Sequence, residues 1–412
     1  MERDAYWFEV GRILRVDTEA AMKELLDRQI KAIKDLRPLS QQQREIVEHN
    51  LERLYEVVWV DQAISYHTES DPDPERILEI FVRANSAGTI LGKSDLLLST
   101  LTLHWGTENA REEINGFLEE LNTKLTLKNR LKTDFIMKSC LVLLDLPVAY
   151  QVSSFTKATC AIIKERWTDI RDAIRKAVDA ANAFGIDETN LSSANALIPL
   201  AYYLFQHSEL TLRGESAREA SIARSARVWL ISALLNGVLG GSSDSMLTKL
   251  REVLQKHSLS GDFPFAALDR AVRDAGRIGA SSDDSIEKVL TLTYGDGACF
   301  LALSLLYDDR NWGTIPHSID HLFSKEIFKA LPSGIKEHRD DFANLALIKS
   351  DENSSKQHRT LSEWLPSRDD QYLKRHLIPE NRSLWDIARY EDFLIERQKL
   401  IRARLENVLS II

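Results

Sequence analysis

Five polar residues near the C-terminus have the types and the order that metal-assisted hydrolysis of a phosphodiester needs. They are Asp320 and His321 side by side, then Asn344, and further along Asn353 and Lys356. A carboxylate and a carboxamide can hold a divalent cation, while an imidazole can take a proton from the attacking water. Because the proposed ligands are oxygen atoms, the sequence predicts Mg²⁺ or Mn²⁺ rather than zinc.

The segments around these residues predict two strands followed by a helix. They read HSIDHLF at 317–323, FANLALI at 342–348 and SDENSSKQHRTLSEWL at 350–365. Ser350 is a candidate N-cap, and the acidic residues after it complement the helix dipole. Because side chains alternate between the faces of an extended strand, one of Asp320 and His321 can reach a metal while the other faces the water.

In order, spacing and expected secondary structure, these residues resemble the HNH (ββα-metal) nuclease motif, which has an Asp-His pair, an Asn and a later D-x-N-x-x-K. The resemblance implies that Asp320 and Asn353 are metal ligands and that His321 is the general base. It also implies that Asn344 holds the imidazole in its working orientation and that Lys356 supports the scissile phosphate. The expected activity is DNA endonuclease cleavage with a divalent cation.

A second resemblance covers more of the chain. The segment ERILEIFVRANSAGTILGKSDLLLSTL is similar to one in the GmrSD-type restriction endonucleases; the matching residues are Phe81, Arg83, Asn85, Gly88, Leu91 and Asp95. WLISALLNGVLGGSSDSML and the C-terminal HLIPENRSLWDIARYEDFLIERQKLI also resemble that family. In that family a ParB-like nucleotide-hydrolysing domain precedes a helical region and an HNH domain. The resemblance implies NTP-stimulated cleavage of foreign DNA, often with modified cytosines, in a defence system.

The nucleotide-site signature of that family, D-G-Q-Q-R, does not occur in this chain. We therefore expect the chain to begin partway into the ParB-like domain, and a partner chain to supply the N-terminal half. Arg83 and Asn85 are weak candidates for the edge of a nucleotide pocket. The alternative for the same segment is a helix C-cap and turn, with Asn85 and Gly88 tolerating a positive φ.

Composition is that of a soluble globular protein, with 44% hydrophobic and 28% charged residues. The sequence contains no apolar run of the roughly 20 residues that span a bilayer and no signal peptide, which predicts a cytoplasmic protein without membrane contact. The net charge is −9, yet residues 310–412 carry 17 Lys and Arg against 16 Asp and Glu. A nearly neutral segment in an acidic protein is weak support for nucleic-acid binding.

The three cysteines, Cys140, Cys160 and Cys299, are far apart and lie in apolar helical contexts. Their spacing fits neither a disulfide framework nor a zinc site. The sequence therefore predicts buried, reduced thiols.

Helical periodicity predominates, so the sequence predicts a mainly α fold. One example is the helix after Ser40, a candidate N-cap, whose predicted apolar face is Ile46, Val47, Leu51, Leu54, Tyr55 and Val58. The run VVWVDQAISY at 57–66 is β-branched and aromatic and predicts a strand. The expected domains are an incomplete ParB-like α/β fragment at 1–105, a helical domain at 106–308 and the HNH domain with a C-terminal helix at 309–412.

Two alternatives to an active nuclease stay open from the sequence. The chain could be a truncated or split non-catalytic subunit that needs a partner carrying the nucleotide-binding half. It could also be a purely structural helical protein. Five matched positions and two flanking family-like segments argue against the second alternative, but the sequence does not separate the first from an active enzyme.

Overall fold

The computed structural model describes residues 7–61, 68–71, 76, 80, 93–105, 109–149, 154–214, 216–241, 243–307, 312, 315, 317–349, 352, 356 and 359–410. Two compact units divide the chain, Met1–Ile80 and Phe81–Ile412. The described residues are mainly α-helical, which confirms the predicted fold class. The domain boundaries expected at 105 and 308 stay predictions.

The regular elements of the described residues have the following bounds. The α-helices are α1 Glu19–Leu36, α2 Gln41–Tyr55, α3 Lys93–Trp105, α4 Ala110–Thr123, α5 Thr133–Leu143, α6 Lys157–Glu165, α7 Trp167–Ala183, α8 Ile198–Gln206, α9 Ala217–Leu235, α10 Asp244–Lys256, α11 Phe265–Asp274, α12 Asp283–Leu290, α13 Cys299–Ser304, α14 Ser333–Glu337, α15 Leu361–Trp364, α16 Asp370–Arg375 and α17 Tyr390–Ser410. The strands are β1 His317–His321 and β2 Leu345–Lys349. Short 3₁₀ helices span Val10–Arg15, Ala194–Leu197, Ile327–Ala330, Phe342–Asn344, Leu365–Ser367, Arg382–Trp385 and Ile387–Arg389.

Residues 7–61 of the first unit contain α1, α2 and the 3₁₀ helix Val10–Arg15, joined by short irregular segments. Ser40 caps α2 as predicted: its hydroxyl accepts the Gln43 N–H, and the Gln43 side chain accepts the Ser40 N–H. This reciprocal pair satisfies donors that a helix N-terminus otherwise leaves unpaired. Of the predicted apolar face of α2, Leu51 is buried, whereas Ile46 is 52% exposed.

The strand predicted at 57–66 is wrong for its first five residues, all of which are described and none of which is in a strand. Glu56–Val60 is a π-helical turn that continues α2, and the Asp61 N–H donates to the Glu56 carbonyl. Trp59 is tied to the preceding segment by its Nε1, 2.8 Å from the Ile13 carbonyl oxygen. Continuation of an established helix and this tertiary bond therefore override the β propensity of the residue types. The rest of the run, 62–66, lies outside the described residues.

The second unit has one large apolar core built from its helices. Helices α7 and α8 pack against each other and bury residues such as Ile170, Ile174 and Leu200. All three cysteines are buried and free, as predicted. Burial raises the pKa of each thiol to about 12, so these groups stay protonated and are poor nucleophiles.

The strands β1 and β2 form an antiparallel pair, which confirms the two strands predicted from the sequence. Strand β2 packs on α13, and its first four residues are buried. On the other side, α17 supports the loops of the hairpin through Phe323, whose ring meets Tyr390 and Phe393 edge-on. Arg397 of α17 is fully buried, and its guanidinium donates to the carbonyls of Ala343 (2.6 Å) and His376 (3.1 Å). The hairpin is therefore held rigidly from two sides.

Among the described residues, no helix is both long enough and apolar enough to cross a bilayer.

Candidate functional site

The Asp-His pair lies at the end of the hairpin where the loop that connects the two strands begins. Asp320 pairs in register with Ala346, and His321 with Leu345. Neighbouring residues of a strand project to opposite faces, so the carboxylate and the imidazole reach different surroundings, as the sequence predicted. His321 is 5% exposed, while the Asp320 side chain is 19% exposed.

The His321 imidazole is held by a carboxylate. Its Nε2 lies 2.8 Å from Oδ1 of Asp340. Burial lowers the pKa of His321 below its usual value, and the hydrogen bond that the imidazole donates to Asp340 opposes this shift only in part. The imidazole is therefore neutral near pH 7, the state in which it can accept a proton.

Asp340 is itself kept ionised by its neighbours. The Arg339 guanidinium donates to its carboxylate, with Nε 3.2 Å from Oδ1, and holds the pKa of Asp340 below its usual range. The hydrogen bond from His321 lowers that pKa further. An ionised carboxylate only accepts hydrogen bonds, so Nε2 of His321 must carry the proton. The lone pair of the neutral ring then lies on Nδ1.

Asn344 connects the loops at this end of the hairpin. It is fully buried, and its Oδ1 accepts the Phe323 N–H at 2.9 Å. Its Nδ2 donates to the Arg339 carbonyl at 2.7 Å and to the Phe323 carbonyl at 3.3 Å. The carboxamide thus binds the backbone that follows His321 and the backbone that precedes Asp340. Any effect of Asn344 on the orientation of the imidazole is therefore indirect, through these two loop segments. The direct contact with the imidazole comes from Asp340.

Lys356 reaches the site from the chain after β2, where Glu352 and Lys356 are the two described residues between 350 and 358 and both are helical. It is 2% exposed, and its ammonium donates to Oδ2 of Asp320 and to the His321 carbonyl. The lysine therefore neutralises the carboxylate that the sequence assigns to a metal. A buried ammonium in this position places a positive charge against Asp320.

Tyr294 and Lys325 complete the exposed side of the site. The Tyr294 ring lies beside the His321 imidazole, with 4.6 Å between ring centroids, and is 42% exposed. The Lys325 ammonium lies 3.8 Å from the centroid of the same ring. The segment that carries Tyr294 is fixed by its own N–H, which donates to the Asp340 carbonyl at 2.8 Å. An aromatic ring and an ammonium group thus face solvent next to the imidazole.

Several predicted residues fall outside the part of the chain that the structure describes. Asn353, the expected second metal ligand, is one of them, as are the Ser350 N-cap and the weak nucleotide candidates Arg83 and Asn85. Across the described residues, no three His, Cys, Asp or Glu side chains gather closely enough to share an ion. The predicted ligand set contains a single carboxylate, that of Asp320.

Sequence reasoning missed four of the residues that surround the imidazole: Tyr294, Lys325, Arg339 and Asp340. Asp340 lies 19 residues after His321, in an irregular loop, and no periodicity connects the two. The available signal was the polar cluster HRDD directly before the second strand, which is rich in groups that can pair with a histidine. Tyr294 follows α12 and gives no such signal.

Comparison of the chain with protein-family models and with curated proteins found no match.

Proposed function

We propose that this protein is a metal-dependent DNA endonuclease of the HNH type that acts in defence against foreign DNA. The observation that carries the proposal is the meeting of Asp320, His321 and Lys356 at one end of a hairpin that Asn344 holds closed. These are four of the five residues that the sequence selected for this chemistry. The neutral, carboxylate-bound imidazole adds the protonation state that a general base requires.

In the proposed reaction, Nδ1 of His321 accepts a proton from the attacking water. The water oxygen forms a bond to phosphorus, one ester P–O bond breaks, and the leaving oxygen takes up a proton. Asp340 stabilises the imidazolium that forms, because its ionised carboxylate already accepts the Nε2 proton. General-base help of this kind contributes about 10²–10⁴-fold in rate.

Asp320 would hold the divalent cation, Mg²⁺ or Mn²⁺, with Asn353 as the predicted second ligand. The Asp320 carboxylate offers the oxygen donors that suit such a cation, which would have to displace the Lys356 ammonium from them. A bound divalent cation would stabilise the charge that develops on the phosphate oxygens. With Asp320 engaged in that way, Lys356 would be free to support the scissile phosphate.

The exposed Tyr294 ring and the Lys325 ammonium support DNA as the substrate. An ammonium can pair with a backbone phosphate, and an aromatic ring can stack on a base. Both groups flank the imidazole, so a phosphodiester bound by them would lie near the proton acceptor. Neither contact is specific for a base sequence or a modification.

A plasmid-nicking assay with Mg²⁺ or Mn²⁺ tests the proposal, with plain and modified DNA and with and without NTP. We expect nicking that EDTA abolishes, and a loss of about 10²–10⁴-fold in His321→Ala with DNA binding retained. Asp320→Ala should be at least as harmful but partly rescued by a high metal concentration. His338→Ala is the matched control, since that exposed histidine pairs with Asp341 instead.

If wild type and His321→Ala behave alike in every condition, this chain is not a nuclease by itself. The second candidate, a split subunit that needs a partner chain, would then take its place. The exposed apolar side chains of the first unit favour it: Trp7 is 79% exposed, Leu14 65% and Val60 60%. Large apolar side chains in one small unit are typical of a contact surface. Co-purification of the chain with the polypeptide encoded directly upstream would test for such a partner.

A further inference from the structure

A surface pocket of about 760 Å³ lies beside Tyr294, and we call it the β1 pocket because residues 317–319 of β1 line it. The described residues that line it include two carboxylates, those of Asp187 and Asp296, but no lysine or arginine. Tyr294 also flanks His321 of the candidate nuclease site, so the two sites are neighbours. Carboxylates without a lysine or arginine beside them favour a positively charged ligand.

Each of the two carboxylates uses one oxygen to hold its own turn. Oδ1 of Asp187 accepts the Thr189 N–H at 2.8 Å and the Thr189 hydroxyl at 2.6 Å. Oδ2 of Asp296 accepts the Thr293 N–H at 2.7 Å and the Thr293 hydroxyl at 3.1 Å. Within the described part of the chain, the second oxygen of each carboxylate accepts no hydrogen bond. Both groups are therefore fixed in position and keep an acceptor for a charged donor.

His317, the first residue of β1, adds a third acceptor to the lining of the β1 pocket. Its Nδ1 lies 2.8 Å from the Ile315 carbonyl oxygen, so in the neutral ring Nδ1 carries the proton and Nε2 the lone pair. Nε2 is buried, and no described residue donates a hydrogen bond to it. A buried acceptor without a donor costs free energy, which an N–H group of a ligand would recover.

Aromatic rings form another part of the lining. Phe300 and Tyr294 line the pocket, and Tyr294 is 42% exposed. The Lys325 ammonium lies 3.8 Å from the centroid of the Tyr294 ring, so this ring already attracts one cation, although Lys325 does not line the pocket. A guanidinium group stacks on aromatic rings and carries five N–H donors in one plane, whereas an ammonium group has three donors and is more strongly hydrated. The combination of rings and acceptors therefore favours a guanidinium.

The outer edge of β1 borders the pocket and favours a polypeptide as the source of the guanidinium. Among the described strands, β2 pairs with one edge of β1 and no strand pairs with the other. The Leu322 N–H donates to the Asn344 carbonyl in the register of the hairpin, so by alternation the N–H and C=O of Ile319 point away from β2. Ile319 also lines the pocket. An extended segment can pair with such an edge and place one side chain in the adjacent pocket.

We propose that the β1 pocket binds an arginine side chain of another polypeptide, presented by an extended segment that pairs with the outer edge of β1. The guanidinium donates to Asp187 and Asp296, and the segment lies next to His321 because Tyr294 belongs to both sites. A nucleobase fits less well, because the two carboxylates would repel the phosphates attached to it. This binding does not depend on the proposed nuclease activity.

Isothermal titration calorimetry of the full chain, without metal or DNA, tests the proposal with three probes. N-acetylarginine N-methylamide carries the side chain alone, and the matching citrulline compound is its uncharged analogue. The acetylated and amidated peptide Thr-Val-Arg-Val-Thr presents the same side chain on a short strand. We expect the peptide to bind about 10-fold more tightly than the single arginine, because it adds backbone hydrogen bonds, and the arginine to bind about 10-fold more tightly than the citrulline.

Two substitutions remove one charge each from the pocket. Asp187→Asn and Asp296→Asn should each weaken binding of the peptide by about 5-fold or more, because asparagine keeps an acceptor for the turn but loses the charge. Asp386→Asn is the matched control. Asp386 is also exposed, its Oδ1 holds its own turn by accepting the Ala388 N–H at 3.0 Å, and it does not line the pocket.

Circular dichroism checks that each variant is folded, and the exposed Asp296 keeps the test valid if Asp187→Asn is not. No binding of the peptide at millimolar concentration overturns the proposal, as does equal weakening in the control. Citrulline bound as tightly as arginine overturns the role of the carboxylates. Equal affinity for the peptide and the single arginine overturns the polypeptide source and indicates a small guanidinium compound instead.

Discussion

Replacing Asp340 by asparagine tests whether this carboxylate positions the base. The change keeps the size of the side chain but removes the charge that accepts the Nε2 proton of His321 at 2.8 Å. An amide can instead donate to Nε2, which would move the proton to Nδ1 and remove the lone pair that the proposed mechanism uses. We therefore expect Asp340→Asn to lose most of the general-base contribution, about 10²–10⁴-fold in kcat.

The same substitution has a predictable effect on the pH profile. A histidine that acts as a base must be neutral, so the rate falls as the pH drops through its pKa. Burial lowers the pKa of His321, and Asp340 opposes that shift. Removing the carboxylate lowers the pKa of His321 further, so the acid limb of the residual activity should move to lower pH. Nicking rates measured between pH 5 and pH 8 at saturating metal would show both changes.

Asp341→Asn is the matched control. Asp341 is the next residue, its side chain is 27% exposed against 29% for Asp340, and it pairs with His338 at 2.9 Å. We expect its effect on the rate to stay within about 2-fold, as for most partly exposed substitutions away from the chemistry. Equal losses in the two variants, or an unchanged acid limb in Asp340→Asn, would refute the reasoning.

Three further predictions concern other parts of the site and its support. Asn344→Ala should lower the free energy of unfolding by about 2–4 kcal/mol in urea titrations, because it leaves buried backbone groups of two loops unpaired; a change below 0.5 kcal/mol would contradict this. Tyr294→Leu should raise KM for DNA more than it lowers kcat, because the ring offers a surface for stacking; an effect on kcat alone would contradict it. Burial lowers the pKa of His376 in the folded state to about 3. Between pH 6.5 and pH 3 this histidine is therefore protonated in the unfolded state but neutral in the folded state, so acidification lowers the free energy of unfolding. Compared with His376→Asn, the wild type should therefore lose about 1 kcal/mol more stability between pH 6 and pH 5, and equal losses would contradict the shift.

Local features of the fold were predictable because they depend on neighbouring residues. The Ser40 N-cap needs only residues three apart, and it forms as the sequence predicts. The two strands follow from short β-branched and apolar segments, and both exist. The strand prediction failed at 57–61, since a bond from Trp59 to Ile13 and the continuation of α2 outweigh residue preference there.

The residues of the candidate site were likewise predictable only in part. Asp320, His321, Asn344 and Lys356 could be selected from their types and order, because the strand and helix signals lie directly beside them. Their partners could not be selected, because each contact is made by chain segments that approach only after folding.

The sequence by itself determined a mainly α fold and a two-stranded hairpin near the C-terminus, and it selected the residues for which metal-assisted hydrolysis is proposed. Only the tertiary structure decided that Asp340 holds the imidazole, that Lys356 neutralises Asp320 and that Tyr294 flanks the ring. The physical reason is that periodicity and capping encode contacts within a few residues, whereas contacts between loops and distant helices depend on how the whole core packs.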